Sequence, residues 1–291
     1  MINRYKYPLR FYILAALIPW SLWLTAGKLS HQQGDEHQML IGLLGIAGLC
    51  APFGIAALFI FQDKALVKDV FKRFISVTPD QILYLLLSVL LMPTSILLAM
   101  GISVLFGYDI GQFRITGHTT FSSSLFSVWF ILIFAPIVEE FAWHTYGTDC
   151  LRQKFSLFTT SMIFAVYWAL WHMPLASIQG YYHANLVQEG AIYSINFVVS
   201  LIPFVILMNW LYYKSGRNIM VAVFLHLTAN LFNEIFATHP DSKVIQTGLL
   251  LLLSICLLIH DREMFFGKKI SSRRIGWSSA AKQADHAGIG Q

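Results

Sequence analysis

Glu139 and Glu140 stand side by side where no other Asp, Glu, Lys or Arg occurs between Ile115 and Thr148, and later apolar runs carry His172, His226 and Asn230. A carboxylate at membrane depth is costly unless it is paired, solvated or protonated, so it marks a functional site. If these groups converge, their chemistry is definite. A buried carboxylate can take a proton from water while a histidine orients that water or shares the proton. A second histidine and an amide NH2 can donate to the oxyanion of a tetrahedral intermediate. Together they would hydrolyse a peptide bond within the membrane. Glu139, His172 and His226 also satisfy the donor types of a zinc site with an open position, although no HExxH run is present. The expected cofactor is therefore none or zinc.

Spacing places these groups on helix faces. His226 and Asn230 lie four residues apart and share a face, as do Trp168 and His172, with Pro174 just beyond. Glu139 and Glu140 are about 100° apart around one helix, so at most one points squarely at the bundle centre. The other needs a second partner, and His144, four residues past Glu140, is placed to be one. Spacing alone does not choose between the glutamates. Taken singly, a buried histidine or Asn230 also reads as interhelical hydrogen bonding. His118, His183, His239 and His260 fall near span ends and are expected at the interface, and Glu234 falls where water reaches it. No apolar packing role suits the glutamate pair; its alternative is an ion or proton pathway.

The elements that must position these residues follow from composition. Of 291 residues, 56% are hydrophobic and 12% charged. Soluble domains carry roughly 25% charged residues, so a polytopic all-α membrane bundle is expected rather than a soluble enzyme. The net charge of +5 sits in loops between apolar runs, which argues for the lipid bilayer as partner and against nucleic acid. Cys50, Cys150 and Cys256 are widely spaced, without a CxxC, and read as packing residues. Arg4, Lys6 and Arg10 before the run 11–26 resemble a signal peptide, but Leu24-Thr25-Ala26 is a poor cleavage site, so a retained first span is expected.

Eight apolar runs of near-membrane length are present, at about 11–27, 38–61, 82–106, 123–147, 157–177, 191–213, 218–236 and 245–260. With the N-terminus inside, only Lys28, Arg114 and Lys243 of the 20 Lys and Arg residues fall in outer segments. Both termini are thus expected in the cytoplasm of an inner-membrane protein. Residues 63–80 place Val67, Val70, Phe71, Phe74 and Ile75 at helical spacing, as in an interfacial amphipathic helix or a solvated loop. The tail 267–291 is basic, then Ser/Ala/Gly-rich, and is expected to be disordered and drawn to anionic lipid. At about 1.5 Å per residue, Glu140 lies roughly 18 Å from Arg152 and His226 roughly 13 Å from Arg217. His172 lies roughly 27 Å from Lys154, and converges with them only if its helix starts late or tilts.

At these residues the chain resembles the CPBP family of intramembrane endopeptidases, which includes the CAAX prenyl proteases and the bacterial Abi proteins. The family motifs EExxxR, FxxxH and HxxxN correspond to Glu139-Glu140-Phe-Ala-Trp-His144, Trp168-Ala-Leu-Trp-His172-Met-Pro174 and His226-Leu-Thr-Ala-Asn230, in the same order. The resemblance covers about residues 121–236; the first three spans match only in being hydrophobic. It implies that Glu139 and His172 activate water, that His226 and Asn230 hold the oxyanion, and that Glu140 supports them or substitutes for Glu139. Zinc use is left open. Two positions depart from the pattern: His144 replaces the arginine and Trp168 the phenylalanine. Losing a permanent charge and a bidentate fork bears on catalysis more than on fold.

The expected organisation is three N-terminal spans with the amphipathic loop in 1–120, a catalytic core in 121–236, a last span in 237–266 and the tail in 267–291. The expected activity is that of an intramembrane endopeptidase acting on a membrane-associated peptide or a prenylated, CAAX-like protein C-terminus. The alternatives are a catalytically silent scaffold or immunity protein, and a proton-coupled transporter titrating at Glu139 and Glu140.

Overall fold

The computed structural model describes residues 1–34, 36–75, 77–123 and 125–267. It is helical, and among the described residues no strand forms beyond a single antiparallel bridge between Ile115 and Phe236. The tail expected to bind lipid lies outside the described residues beyond Gly267.

Each expected span coincides with a helix. Six are long and apolar enough to cross a membrane: α1 (Pro8–Ser30), α2 (Gln38–Phe61), α4 (Pro79–Leu105), the composite Val128–Arg152, α9 (Ala191–Lys214) and α11 (Pro240–His260). Between α2 and α4 runs α3 (Lys64–Ile75). The composite consists of α5 (Val128–Ala142), a π-helical turn over Trp143–Gly147, and α6 (Thr148–Arg152). The span expected at 157–177 breaks. Its helix α7 (Leu157–His172) gives way to a tight 3-10 turn at Met173–Ser177, and α8 (Tyr182–Glu189) leaves at 85°. Pro174 has no N–H to continue the α-helical ladder. The short apolar α10 (Ile219–Ile235) carries the third motif, and α12 (Arg262–Phe266) closes the described chain. The start of α11, expected near 245, moves back to Pro240, where His239 caps the helix and Pro240 sits in its first turn.

Helices α5, α7, α9 and α10 form the centre; α1 and α2 pack on one flank, α4 and α11 on the other. The first helix is tied directly to the centre. Trp171 donates its indole N–H to the Ala15 carbonyl (2.9 Å), Trp20 donates to the Trp171 carbonyl (3.2 Å), and Tyr167 donates to the Tyr12 carbonyl (3.1 Å). In lipid such interhelical hydrogen bonds and close packing replace the hydrophobic driving force of a soluble core.

Of the two readings of 63–80, the helix is the one observed. Asp63 accepts from the Ala65 backbone at the start of α3 (2.8 Å). Leu66, Val70 and Arg73 turn inward, while Phe71 and Ile75, expected on the apolar face, are exposed. Arg73 pairs with Asp69 (3.0 Å) and Asp149 (3.4 Å), and Arg217 pairs with the same two aspartates. The Arg73 guanidinium also donates to the carbonyls of His144 and Thr145 (both 3.2 Å), and Tyr212 donates to the His144 carbonyl (2.6 Å). A π turn disturbs the local carbonyl ladder, and here the side chains of α3 and α9 satisfy it.

Candidate active site

The two glutamates follow one turn after Pro136 and diverge as their spacing requires. Both are buried. Glu139 faces α7 and lines a cavity of about 540 Å³. Its Oε2 accepts from the indole N–H of Trp168 (3.0 Å) and of Trp143 (3.3 Å), which leaves Oε1 clear of the indoles. Glu140 faces α10 and the π turn that follows α5. Its Oε1 meets His226 Nδ1 (2.8 Å) and its Oε2 meets His144 Nδ1.

Behind Glu140 the bonds place one ring proton of His144. Ser161 donates its hydroxyl to the Leu157 carbonyl (2.9 Å), so its oxygen accepts from the Asn209 amide NH2 (2.9 Å). That turns Asn209 Oδ1 towards His144 Nε2 (3.1 Å), which must therefore carry a proton. His144 thus supports Glu140 from a position fixed by α9 and α7, packed edge-on against Tyr212 (ring centroids 4.8 Å apart).

His172 does not bond either glutamate directly. Its Nδ1 lies 2.7 Å from the Trp168 carbonyl, and a carbonyl only accepts, so Nδ1 holds the proton and Nε2 the lone pair. Trp168 therefore joins two motifs, through its indole to Glu139 and through its backbone to His172. His172 lines the same cavity as Glu139 and His226, at the end of a helix that starts at Leu157 behind its Ser156 cap.

His226 lines the cavity with Nδ1 engaged, so Nε2 is the nitrogen it has for a ligand. Asn230 lies one turn on and lines the same cavity. Pro136 lacks the N–H that would bond the carbonyl four residues earlier. That carbonyl belongs to Leu132, and the Asn230 amide approaches it at 3.5 Å.

Two expectations need correction. Of the four histidines assigned to the interface, His118, His239 and His260 are exposed, but His183 lines the cavity and stacks on His172. Glu234 is buried rather than water-exposed, because Thr120 donates both its backbone N–H and its hydroxyl to the carboxylate (2.7 Å each). Trp143 and Asn209 were not singled out from the sequence. Trp143 had a signal, its four-residue spacing from Glu139; Asn209 had only its polarity within an apolar run.

Among the described residues no group of three or more His, Cys, Asp or Glu side chains is gathered as a metal site. Glu139, His172 and His226 are not gathered into such a group.

Two comparisons with known proteins bear on this geometry. A family model described as type II CAAX prenyl endopeptidase Rce1-like matches residues 121–232, the segment holding all three motifs. A curated relative, CAAX prenyl protease 2 of Methanococcus maripaludis, is 33% identical over 271 residues, covering 92% of this chain and 99% of the relative.

Proposed function

We propose, from the premise that this chain belongs to the Rce1-like family of CAAX prenyl endopeptidases, that it hydrolyses a peptide bond in a membrane-associated or prenylated, CAAX-like protein. The family is one of peptidases.

Glu139 is the general base. Its Oε2 is immobilised by two indoles, and Oε1 is left to take a proton from water in the cavity. His172, held through Nδ1, offers the Nε2 lone pair to orient that water. The water oxygen attacks the scissile carbonyl. The oxyanion that forms is met by His226 and the Asn230 amide, with Glu140 balancing a doubly protonated His226 ring so that Nε2–H donates. Collapse of the intermediate returns the proton on Glu139 to the leaving amine. The cavity holds the substrate, and the bilayer delivers it.

The observation that carries this reading is the division of labour between the glutamates. Glu139 lines the cavity, while both Glu140 oxygens are taken up by histidines. Glu139→Ala should abolish cleavage of a farnesylated CAAX-type peptide by purified protein and leave its unfolding temperature close to that of the parent. Failure of the parent to cleave such a peptide at any pH would sink the assignment.

A further inference from the structure

His183 is a ring in the wall of the cavity whose two nitrogens have no hydrogen-bond partner in the protein. It stands on α8, which is bracketed by Gly180 at φ +75° and Gly190 at φ +143°. Glycine adopts such angles without steric cost, and the two bends let this short helix leave the line of α7 and pack against the cavity. The His183 ring stacks on His172 (centroids 5.1 Å apart, planes at 27°) and meets Phe197 edge-on (4.8 Å, 89°). Neither ring nitrogen reaches solvent, and neither makes a hydrogen bond within the protein.

A neutral imidazole carries one N–H and one lone pair. Leaving either unsatisfied in a buried setting costs about 1–3 kcal/mol. Packing does not account for a histidine here, since phenylalanine would keep both ring contacts without that penalty. What the ring lacks is one acceptor and one donor, supplied from the cavity side. A peptide group offers both, in its C=O and N–H.

We propose that His183 is a positioning residue that hydrogen-bonds a backbone amide of the substrate beside the scissile bond. A half-turn about its Cβ–Cγ bond exchanges the ring nitrogens with ring carbons and keeps the stack on His172. The inference rests on the peptidase reading above.

The test compares His183→Phe, which keeps the rings in contact, with His183→Gln, which keeps a donor and an acceptor. Cleavage of a farnesylated CAAX-type peptide is measured beside thermal unfolding. His183→Phe is expected to raise KM about tenfold with kcat within about threefold, the loss of roughly one hydrogen bond. It should unfold at or above the parent temperature, and His183→Gln should stay within about threefold of the parent KM. A purely structural role predicts the opposite order, with Gln less stable and Phe unaffected in KM, and that result overturns the proposal. If the parent cleaves nothing, Glu139 fails as base, yet His183 is still judged by the Kd of a fluorescent farnesylated peptide. A Kd weakened about tenfold in His183→Phe and kept in His183→Gln sustains it. An unchanged Kd, or no binding by the parent, removes it.

Discussion

Trp168 donates its indole N–H to Glu139 at 3.0 Å, and this bond ties the second motif to the first. The pattern that the sequence resembles carries phenylalanine at this position, which has no N–H to give a carboxylate. With it, Glu139 Oε2 accepts two N–H donors; without it, Trp143 alone restrains the carboxylate at 3.3 Å. Trp168→Phe preserves the stacking on Phe164 and Phe204. The expected result is retained activity with kcat lowered about tenfold and KM little changed, since a bond to a charged group is worth about 1.5–3 kcal/mol. A kcat equal to the parent's would show that Trp143 suffices.

His144 occupies the position where the related pattern has arginine, and it bridges Glu140 to Asn209. His144→Ala strands a buried carboxylate and a buried amide. The variant should lose about 3 kcal/mol of stability. Because Glu140 also orients His226, kcat should fall about 100-fold or more. His144→Arg offers a charge to the carboxylate but must fit beside Tyr212, so activity between that of alanine and the parent is expected. Full activity in His144→Ala would show that Glu140 holds His226 without support from His144.

The spans and the motif residues were legible because they depend on local pattern: long apolar runs, and polar groups at intervals of three or four residues. What was not legible depends on tertiary partners. The π turn at Trp143–Gly147 becomes tolerable only once Arg73 and Tyr212 reach its carbonyls from α3 and α9. Helix α8 reads as a polar loop in sequence, so His183 was assigned to the interface although a bend of 85° brings it to His172. Asn209 looks like any asparagine in an apolar helix until Ser161 and His144 fix its orientation.

Arg73 makes the amphipathic helix part of the site's support. It is 7% exposed, bonded to the π-turn carbonyls and paired with Asp69 and Asp149. Arg73→Met keeps most of the side-chain volume and leaves two aspartates short of a cation. A destabilisation of about 3–5 kcal/mol is expected in denaturant or thermal unfolding, because breaking a buried pair on one side leaves charge uncompensated. A loss below about 1 kcal/mol would place Arg217 as the sole necessary cation of the cluster.

Asp261 anchors the end of α9 outside the spans, accepting from Trp210 (2.7 Å) and Lys214 (2.9 Å). Burial pushes its carboxyl up, but the Trp210 and Lys214 bonds outweigh that and hold it below its ordinary value of 3.8. A depressed folded value means that the stabilisation is complete above the unfolded value and is lost as pH falls through the folded one. Asp261→Asn should therefore cost on the order of 1 kcal/mol at neutral pH, the pair being partly open to water. The difference from the parent should shrink only below about pH 4. A difference that vanishes already near pH 6 would point to another titrating group.

The basic segments and the cavity rim lie at opposite ends of the bundle. Gln38, at the start of α2, lines the cavity, whereas its far end, Phe61, leads into α3. The loop holding His118 is fastened to the rim end of α10, through the bond from Thr116 N–H to the Ile235 carbonyl (2.8 Å). If the basic loops are retained inside, Lys68 is expected to face the cytoplasm and His118 the other side. Single cysteines at these two exposed positions, with Cys50, Cys150 and Cys256 replaced by alanine, test this with a membrane-impermeant maleimide on sealed vesicles of known sidedness. Lys68→Cys should label only from the cytoplasmic face and His118→Cys only from the opposite one. The reverse pattern would invert the topology and place the rim on the cytoplasmic side, and with it the side from which a substrate tail reaches Glu139.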